Sequence, residues 1–338
     1  MKAARFTVHG GAEVLRYEDV SDPAPRDGRA LIRVRACALN HLDLWQRRGM
    51  PRRPIPLPHI SGSDVAGEVI DAGSRFAPGT RVMLQPGLSC ATCRHCLEGR
   101  DNLCPSYDVL GFLTDGGYAE MVSVPIQNVI PIPDHVSFDV AAAFPLTFLT
   151  AWHMLVTLAR VRAGDDVLVL AGGSGVGQAA IQIARLRGAR VFATSAAAKA
   201  KRTLALGAEK VFDHYATDFG KEARGVTGGR GVDIVVEHVG EATWDRSVRA
   251  LANGGRLVTC GATTGGSAAV DLRHLFARQL SLIGSYMGEK RELLEASAEF
   301  FAGRLAPAID VVLPLSDAAD AHRRLESQEH FGKIVLRP

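Results

Sequence analysis

The stretch Val167 to Gly177, VLVLAGGSGVG, constrains this chain more than any other, because an apolar, β-branched run stops abruptly at a glycine cluster. It predicts a buried parallel strand that turns straight into a helix. Val176, Ala179, Ala180, Ile183 and Ala184 continue at helical spacing, and Gly188 offers a C-terminal stop. Gly172, Gly173, Ser174, Gly175, Val176 and Gly177 therefore lie at a strand-to-helix turn. Glycines there let a pyrophosphate approach the N–H groups of a helix N-terminus, where the helix dipole favours negative charge. Ser174 stands where the strict G-x-G-x-x-G pattern has its second glycine, so the motif alone could be a glycine-rich turn of any α/β protein.

The segments that follow argue against that plainer reading. RVFATS, a helical Lys199 to Leu206, KVFDH, VDIVVEHVG and GGRLVTCG alternate strand with helix. Repeats of this length imply right-handed crossovers and one parallel sheet covered by helices on both faces, which is a dinucleotide-binding fold. Residues 1 to about 147 differ: LIRVRAC, GSDVAGEVIDAG and TRVMLQ are short strands broken by Pro and Gly, as in a compact β domain. Arg52 to Pro58, RRPIPLP, is a proline-rich loop suited to the rim of a cleft. After Gly265 a further helix and strand are expected, and the last strand, Ile334 to Leu336, would rejoin the β domain. The expected divisions are 1–147, 148–267 and a return segment 268–338.

Four of the six cysteines, Cys90, Cys93, Cys96 and Cys104, crowd one loop at about 88–106, while Cys37 and Cys260 stand alone. Clustering of this kind points to a metal rather than to disulfides. Four thiolates can close a tetrahedron around Zn²⁺ with no position left for water or substrate, so the zinc would be structural. An iron–sulfur cluster and a redox C-x-x-C pair are the rival readings.

Length and charge exclude other classes. The 338 residues allow two domains, and Lys+Arg 39 against Asp+Glu 36 with no basic run makes a nucleic-acid partner unexpected. Arg5 and His9 interrupt any signal-peptide core, so a cytoplasmic location is expected. Val140 to Ala159 is free of formal charge and long enough to span a bilayer, but Pro145, Thr147, Thr150, His153 and Thr157 interrupt it, and a buried helix is expected instead of a membrane span.

The nucleotide can be specified further. NAD-binding folds usually carry Asp or Glu at the end of the second strand, about 20 residues beyond the glycines, for the ribose 2′-hydroxyl. Here that strand ends Thr194-Ser195. Ser195 can donate to a 2′-phosphate and Lys199 can neutralise it, which favours NADPH. The plainer alternative is a helix-capping Ser195 and a solvated Lys199, with NAD bound less selectively. Tyr215, beside His214, could flank the adenosine ribose or simply finish a strand. The carboxyl ends of the later strands should present Val239, Gly240, Gly261 and Ala262 to the nicotinamide. Thr150, expected at the start of its helix, could bond the carboxamide or merely cap.

Taken together, ALNHLDLWQRRG, PHISGSDVAGEV, CATCRHCLEGRDNLC, DGGYAE, LTFLTAWHML, AGGSGVGQAAIQIA and FGKIVL make the whole chain resemble the medium-chain dehydrogenase/reductase superfamily. The resemblance implies an α/β chain in which a GroES-like catalytic domain is split around a Rossmann domain, with the active site in the cleft between them. The zinc alcohol dehydrogenases of that superfamily hold a catalytic zinc at positions where this chain has Asn40, Ser63 and Leu146, and relay a proton through a Ser or Thr where it has Leu42. The chain looks instead like the quinone oxidoreductase and enoyl reductase branch, which keeps an Asn-x-x-Asp turn and uses NADPH without catalytic zinc. The structural-zinc lobe is unusual for that branch.

On this resemblance Asn40 and then Ser63 are the expected donors or positioning residues, and Asp43 would orient the Asn40 turn and the nicotinamide ribose. For Asn40 the plain alternative is a turn former. Without a Lewis acid, a conjugated enone, enoyl thioester or quinone is the easier acceptor, because hydrogen-bond donors alone can stabilise a delocalised oxyanion. Tyr118, Tyr286 and His153 are candidate proton donors. His41, Asp43, His59 and Asp64 could ligate a replacement zinc, which would make the chain an alcohol dehydrogenase with an altered metal site. A non-catalytic NADPH-binding sensor is the reading from another class. The apolar edge around Leu280 to Gly284 suggests a homodimer, with a tetramer as the larger alternative.

Overall fold

The strand Arg29–Ala38 alternates buried Ala30, Ile32, Val34 and Ala36 with outward-facing arginines, the pattern of a strand with one face on a core. In the computed structural model, which describes residues 1–50 and 53–338, this strand lies at the centre of a seven-stranded sheet. Asp64–Asp71 and Met121–Pro125 pair antiparallel with it, Arg81–Leu84 pairs with Asp64–Asp71, and Val129–Pro131 pairs with Arg81–Leu84. The C-terminal strand Lys333–Arg337 joins antiparallel, with Val335 opposite Ala38 and Leu336 opposite Cys37. Ile309–Pro314 runs parallel to it at the edge. Arg52 of the proline-rich loop lies outside the described residues.

The register of these pairings matters more than the strands themselves. Ala38 faces Asp64 on one side and Val335 on the other. Residues 40, 64 and 333, far apart in the chain, are thereby delivered to one corner of the sheet.

A second sheet is wholly parallel and six-stranded, in the order Lys210–Asp213, Arg190–Ser195, Asp166–Val169, Val232–Glu237, Leu251–Thr259, Ser281–Gly284. This is the Rossmann order, whose direction reverses at the first strand, Asp166–Val169. Leu168, Phe192, Phe212, Phe219, Val235 and Leu257 form the core of this sheet. The helix Gly175–Leu186 buries Ala179, Ala180, Ile183 and Ala184, and the chain leaves it through Gly188 at a φ of 80°. The α/β class with a GroES-like and a Rossmann part is thus the observed fold.

Two compact units result, residues 1–146 with 289–338, and residues 147–288. The second extends beyond the expected end at 267, because the helix Leu272–Ala277 leads into Ser281–Gly284, which pairs parallel with Leu251–Thr259. The charge-free stretch is a helix, Pro145–Trp152, widening into a π-helical turn over His153–Leu158 with Trp152, Met154 and Leu155 buried. No helix among the described residues is long and apolar enough to cross a membrane. Thr150 sits inside this helix rather than at its start, so it is not a cap.

Two glycines on helices separate packing from propensity. A Cβ on Gly177 would lie 2.2 Å from the Ala171 carbonyl oxygen, whereas one on Gly225 meets nothing within 4 Å. In denaturant unfolding, Gly177→Ala should cost about 1–3 kcal/mol, and Gly225→Ala should stabilise by about 0.4–1 kcal/mol.

Candidate functional site

In the Rossmann unit, Ser174 is the N-cap of the glycine-loop helix at a φ of −79°, and its Oγ accepts the Gly177 N–H at 2.9 Å. No left-handed backbone is required there, and the hydroxyl does useful capping, so serine fits the second glycine position. Gly175 and Val176 remain as first-turn N–H groups without an intrahelical partner. The turn is tied to the neighbouring strand: Ala171 N–H donates to Thr194 Oγ1 at 2.9 Å and Gly172 N–H to the Thr194 carbonyl at 2.7 Å. A Cβ on Gly172 would meet Thr203 Cγ2 at 2.7 Å. Open amides at a helix start, backed by positions that only glycine fills, fit a dinucleotide pyrophosphate.

Ser195 ends the adjacent strand, buried, with its hydroxyl donating to the Ala196 carbonyl at 3.0 Å. It caps no helix, since Ala196 precedes the short 3₁₀ turn Ala197–Lys199. Lys199 closes that turn and Tyr215 is exposed, its ring 4.2 Å from that of His214. Burial lowers the His214 pKa.

At the carboxyl ends of the later strands the organiser is Glu237, a residue the sequence reading passed over. Its fully buried carboxylate accepts N–H bonds from Val239 at 2.7 Å and Gly240 at 3.1 Å, and hydroxyl bonds from Thr243 at 2.9 Å and Ser247 at 2.6 Å. Gly240 is left-handed at a φ of 97°, and the Val239 carbonyl accepts from Thr264 N–H at 2.9 Å. Val239, Gly240 and the Gly261-Ala262 loop are thereby one locked surface. The available signal was a lone carboxylate ending an apolar strand, which burial permits only when it is bonded several times over.

In the GroES-like unit, Asn40 caps the start of the helix His41–Arg48. Asp43 Oδ2 accepts the Asn40 N–H at 2.9 Å and the Tyr118 hydroxyl at 2.8 Å, which ties its carboxylate to the Asn40 turn. The Asn40 side chain also bonds outside its own turn. Lys333 Nζ donates to Asn40 Oδ1 at 2.7 Å and to Asp64 Oδ2 at 2.9 Å, and Asn40 Nδ2 donates to the same Asp64 oxygen at 3.0 Å. Asp64 Oδ1 accepts the Leu146 N–H at 2.8 Å. Asn40, the Leu146 N–H and the buried Lys333 ammonium thus converge on the Asp64 carboxylate. Ser63 Oγ and Asp43 Oδ1, both fully buried, have no hydrogen-bond partner among the described residues.

Behind Asp43 the hydrogen bonds run in one direction. Arg47 can only donate, so at 3.1 Å it places the lone pair of His322 on Nδ1. His322 Nε2 then carries the hydrogen given to Tyr118 Oη at 3.2 Å, and Tyr118 donates onward to Asp43. Arg47 also pairs with Glu326. Burial pushes the Asp43 carboxyl up to about 6, opposed by the Asn40 N–H and the Tyr118 hydroxyl. Burial and then Arg47 push His322 down to about 3. Tyr118 is committed to this chain of bonds, Tyr286 is exposed, and His153 is buried on the π turn.

The replacement metal set is not assembled. His59 Nε2 bonds the Gly111 carbonyl at 2.9 Å, the His41 ring packs on Trp45, and Asp43 and Asp64 are bonded as described. Among the described residues the one group of three or more His, Cys, Asp or Glu with ligand atoms within 4.8 Å is Cys90, Cys93, Cys96 and Cys104. Their sulfurs lie 3.9 Å (90–96), 3.5 Å (93–96) and 3.5 Å (90–104) apart. A tetrahedral site with metal–sulfur bonds of about 2.3 Å has edges of about 3.8 Å, so the four thiols could hold zinc. The donors at 40, 63 and 146, an amide, a hydroxyl and an alkyl chain, do not make a three-ligand zinc site.

Asp43 and His322 predict opposite pH effects. The Asp43 carboxyl sits above its unfolded value of about 4, so its favourable contribution is full below that pH and is lost as pH rises through about 6. His322 sits below its unfolded value, so its contribution is present above about 6.5 and declines on acidification. Comparison with Asp43→Asn isolates the first: the native chain should lose stability relative to the variant between about pH 4 and 6, read by denaturant unfolding.

Comparison with known proteins places these features in one family. The alcohol dehydrogenase GroES-like domain matches residues 26–134 and the zinc-binding dehydrogenase domain matches residues 175–302. Quinone oxidoreductase of Rattus norvegicus is 32% identical, covering 99% of this chain and 97% of its own length. A solved NAD-dependent alcohol dehydrogenase is 46% identical with a TM-score of 0.96, covering 100% of both chains. A crotonyl-CoA carboxylase/reductase solved in complex with NADP is 26% identical with a TM-score of 0.93, covering 100% of this chain and 94% of its own. Similarity over nearly the full length, with the split sheet and the parallel dinucleotide sheet both present, shows that the chain belongs to the medium-chain dehydrogenase/reductase superfamily and is an oxidoreductase of that family.

Proposed function

We propose that this protein reduces an activated double bond or a quinone with NADPH, without a catalytic zinc. The observation that supports this reading most is the Asn40–Asp64–Lys333 cluster, which offers a hydrogen-bond donor where zinc alcohol dehydrogenases have a metal. NADPH, when bound, supplies a hydride. The residues of the chain do the rest. The amides of the Gly172–Gly177 turn hold the pyrophosphate, Ser195 and Lys199 receive the 2′-phosphate, and Val239, Gly240, Gly261 and Ala262 bound the nicotinamide. Asn40 donates to the oxygen on which negative charge develops, and Ser63 is a second donor. The quinone oxidoreductase and crotonyl-CoA carboxylase/reductase relatives agree with such an acceptor.

Alcohol oxidation is the second reading, favoured by the alcohol dehydrogenase neighbour of 46% identity. Zinc in the cysteine lobe would be structural under either reading, stapling the loop from Cys90 to Cys104. A homodimer is part of the proposal. Ser281–Gly284 is the open edge of the parallel sheet, and Leu272 and Phe276, 68% and 70% exposed, adjoin it in sequence and would be covered by a second copy.

A panel of enones, enoyl thioesters, quinones and alcohols, assayed with zinc content, tests the reading. The reductase predicts steady NADPH consumption with a member of the first three classes and one zinc per chain. Two zincs and alcohol turnover would favour the dehydrogenase, and no turnover at all would favour a nucleotide-binding sensor. Asn40→Ala should lower kcat by about 10²–10³-fold, and unchanged turnover would remove Asn40 from the mechanism. Ser195→Asp should weaken NADPH binding about 10- to 100-fold by placing a negative charge against the 2′-phosphate, with NADH binding retained.

A further inference from the structure

The Asn40 carboxamide is held at both ends by one buried ion pair. Lys333 is 2% exposed and Asp64 fully buried, and their charges meet at 2.9 Å. An ammonium has three hydrogens and no lone pair, so its 2.7 Å contact must be with the amide oxygen. That contact fixes which way the amide faces, and the nitrogen is accordingly the atom that reaches Asp64 at 3.0 Å. Nδ2 has a second hydrogen, which has no partner among the described residues, and Asn40 keeps 6% of its surface exposed.

We propose that Lys333 is the positioning residue for the Asn40 donor: it locks the carboxamide in one orientation, and its charge polarises the amide so that the second Nδ2–H becomes a stronger donor. A positive charge on an amide oxygen draws electron density from the nitrogen, and successive hydrogen bonds strengthen one another where water is excluded. The gain grows with the charge on the acceptor, so it is larger for an oxyanion than for the carbonyl from which that oxyanion forms. Resting on the reductase reading, the step is the following. A hydride adds to the carbon β to the carbonyl, the C=C π pair moves to the bond between the α-carbon and the carbonyl carbon, and the C=O π pair moves to the oxygen, which takes the negative charge as an enolate. The nucleotide is oxidised by two electrons, the acceptor is reduced by two, and a proton from solvent completes the saturated product. Lys333 gives up no proton in this scheme. Asp64 keeps the ammonium from being a buried, uncompensated charge.

The test compares the native chain with Lys333→Met, Lys333→Arg, the charge-neutral pair Lys333→Met with Asp64→Asn, and Asn40→Ala. Lys333→Met alone leaves Asp64 unpaired and is open to misfolding, and the double variant removes both charges together. Phenanthrenequinone and cyclohexenone serve as acceptors. The double variant should bind NADPH as the native chain does and hold its acceptor KM, while kcat falls about 10- to 100-fold; Lys333→Arg, which keeps the charge, should recover part of the loss. In a chain with ¹⁵N-labelled asparagine, the Asn40 Nδ2 hydrogen bonded to Asp64, identified by its loss in Asn40→Ala, should exchange slowly in the native protein and rapidly in the double variant. A folded double variant with native kcat, while Asn40→Ala is impaired, overturns the proposal and leaves the reductase reading intact. Unaltered exchange in the double variant overturns it whatever the acceptor panel gives. Absence of any turnover by the native chain defeats the reductase reading and the catalytic part of the proposal with it.

Discussion

A carboxylate and an ammonium removed from water lose several kcal/mol of hydration each, and their attraction offsets that loss only at short range and with the remaining valences bonded. Asp64 and Lys333 meet both conditions, because Asn40 and the Leu146 N–H take the positions left over. The pair therefore tolerates little error in strand register. A slip of one residue at either neighbour of Ala38 would turn one charge to the opposite face of the sheet and strand the other. The corner of the sheet that carries Asn40 is thus subject to this electrostatic demand as well as to apolar packing.

The Asn40 turn is fastened from its other side by a different device. Arg47, His322 and Tyr118 form a series of donors ending on Asp43, each oriented by the one before it. Burial would favour a protonated Asp43 at mild pH, and the donors counter that tendency. One buried turn is thus flanked by two carboxylates whose environments differ: Asp64 is met by a full positive charge, Asp43 by neutral donors. The Rossmann unit uses the same logic at Glu237, where N–H and hydroxyl donors surround a buried carboxylate and make the Val239-Gly240 turn rigid.

Much of the nucleotide unit was legible because its signals are local. Eleven residues contain a strand, its turn and a helix start, and the alternation that follows leaves a parallel sheet as the consistent arrangement. Ser174, an apparent defect in the glycine pattern, proves to be a cap. The four cysteines span 15 residues and needed no tertiary information to be grouped. Thr150 was misplaced because the helix begins at Pro145, more than a turn ahead of it. The unit boundary moved from 267 to 288 because pairing of Ser281–Gly284 with its neighbour cannot be read from a short apolar run.

The sequence by itself determined the class of fold, the glycine-rich strand-to-helix turn and the cysteine lobe. Each depends on residues within a helical turn or a short loop of one another, where spacing alone decides what can touch. Only the tertiary structure decided that Lys333, 269 residues from Asp64 and 293 from Asn40, completes the cluster, and that Tyr118 and His322 stand behind Asp43. The physical reason is that partners across antiparallel strands are chosen by register. Register is settled by how the whole sheet buries its apolar face, a condition that no single segment of this chain records.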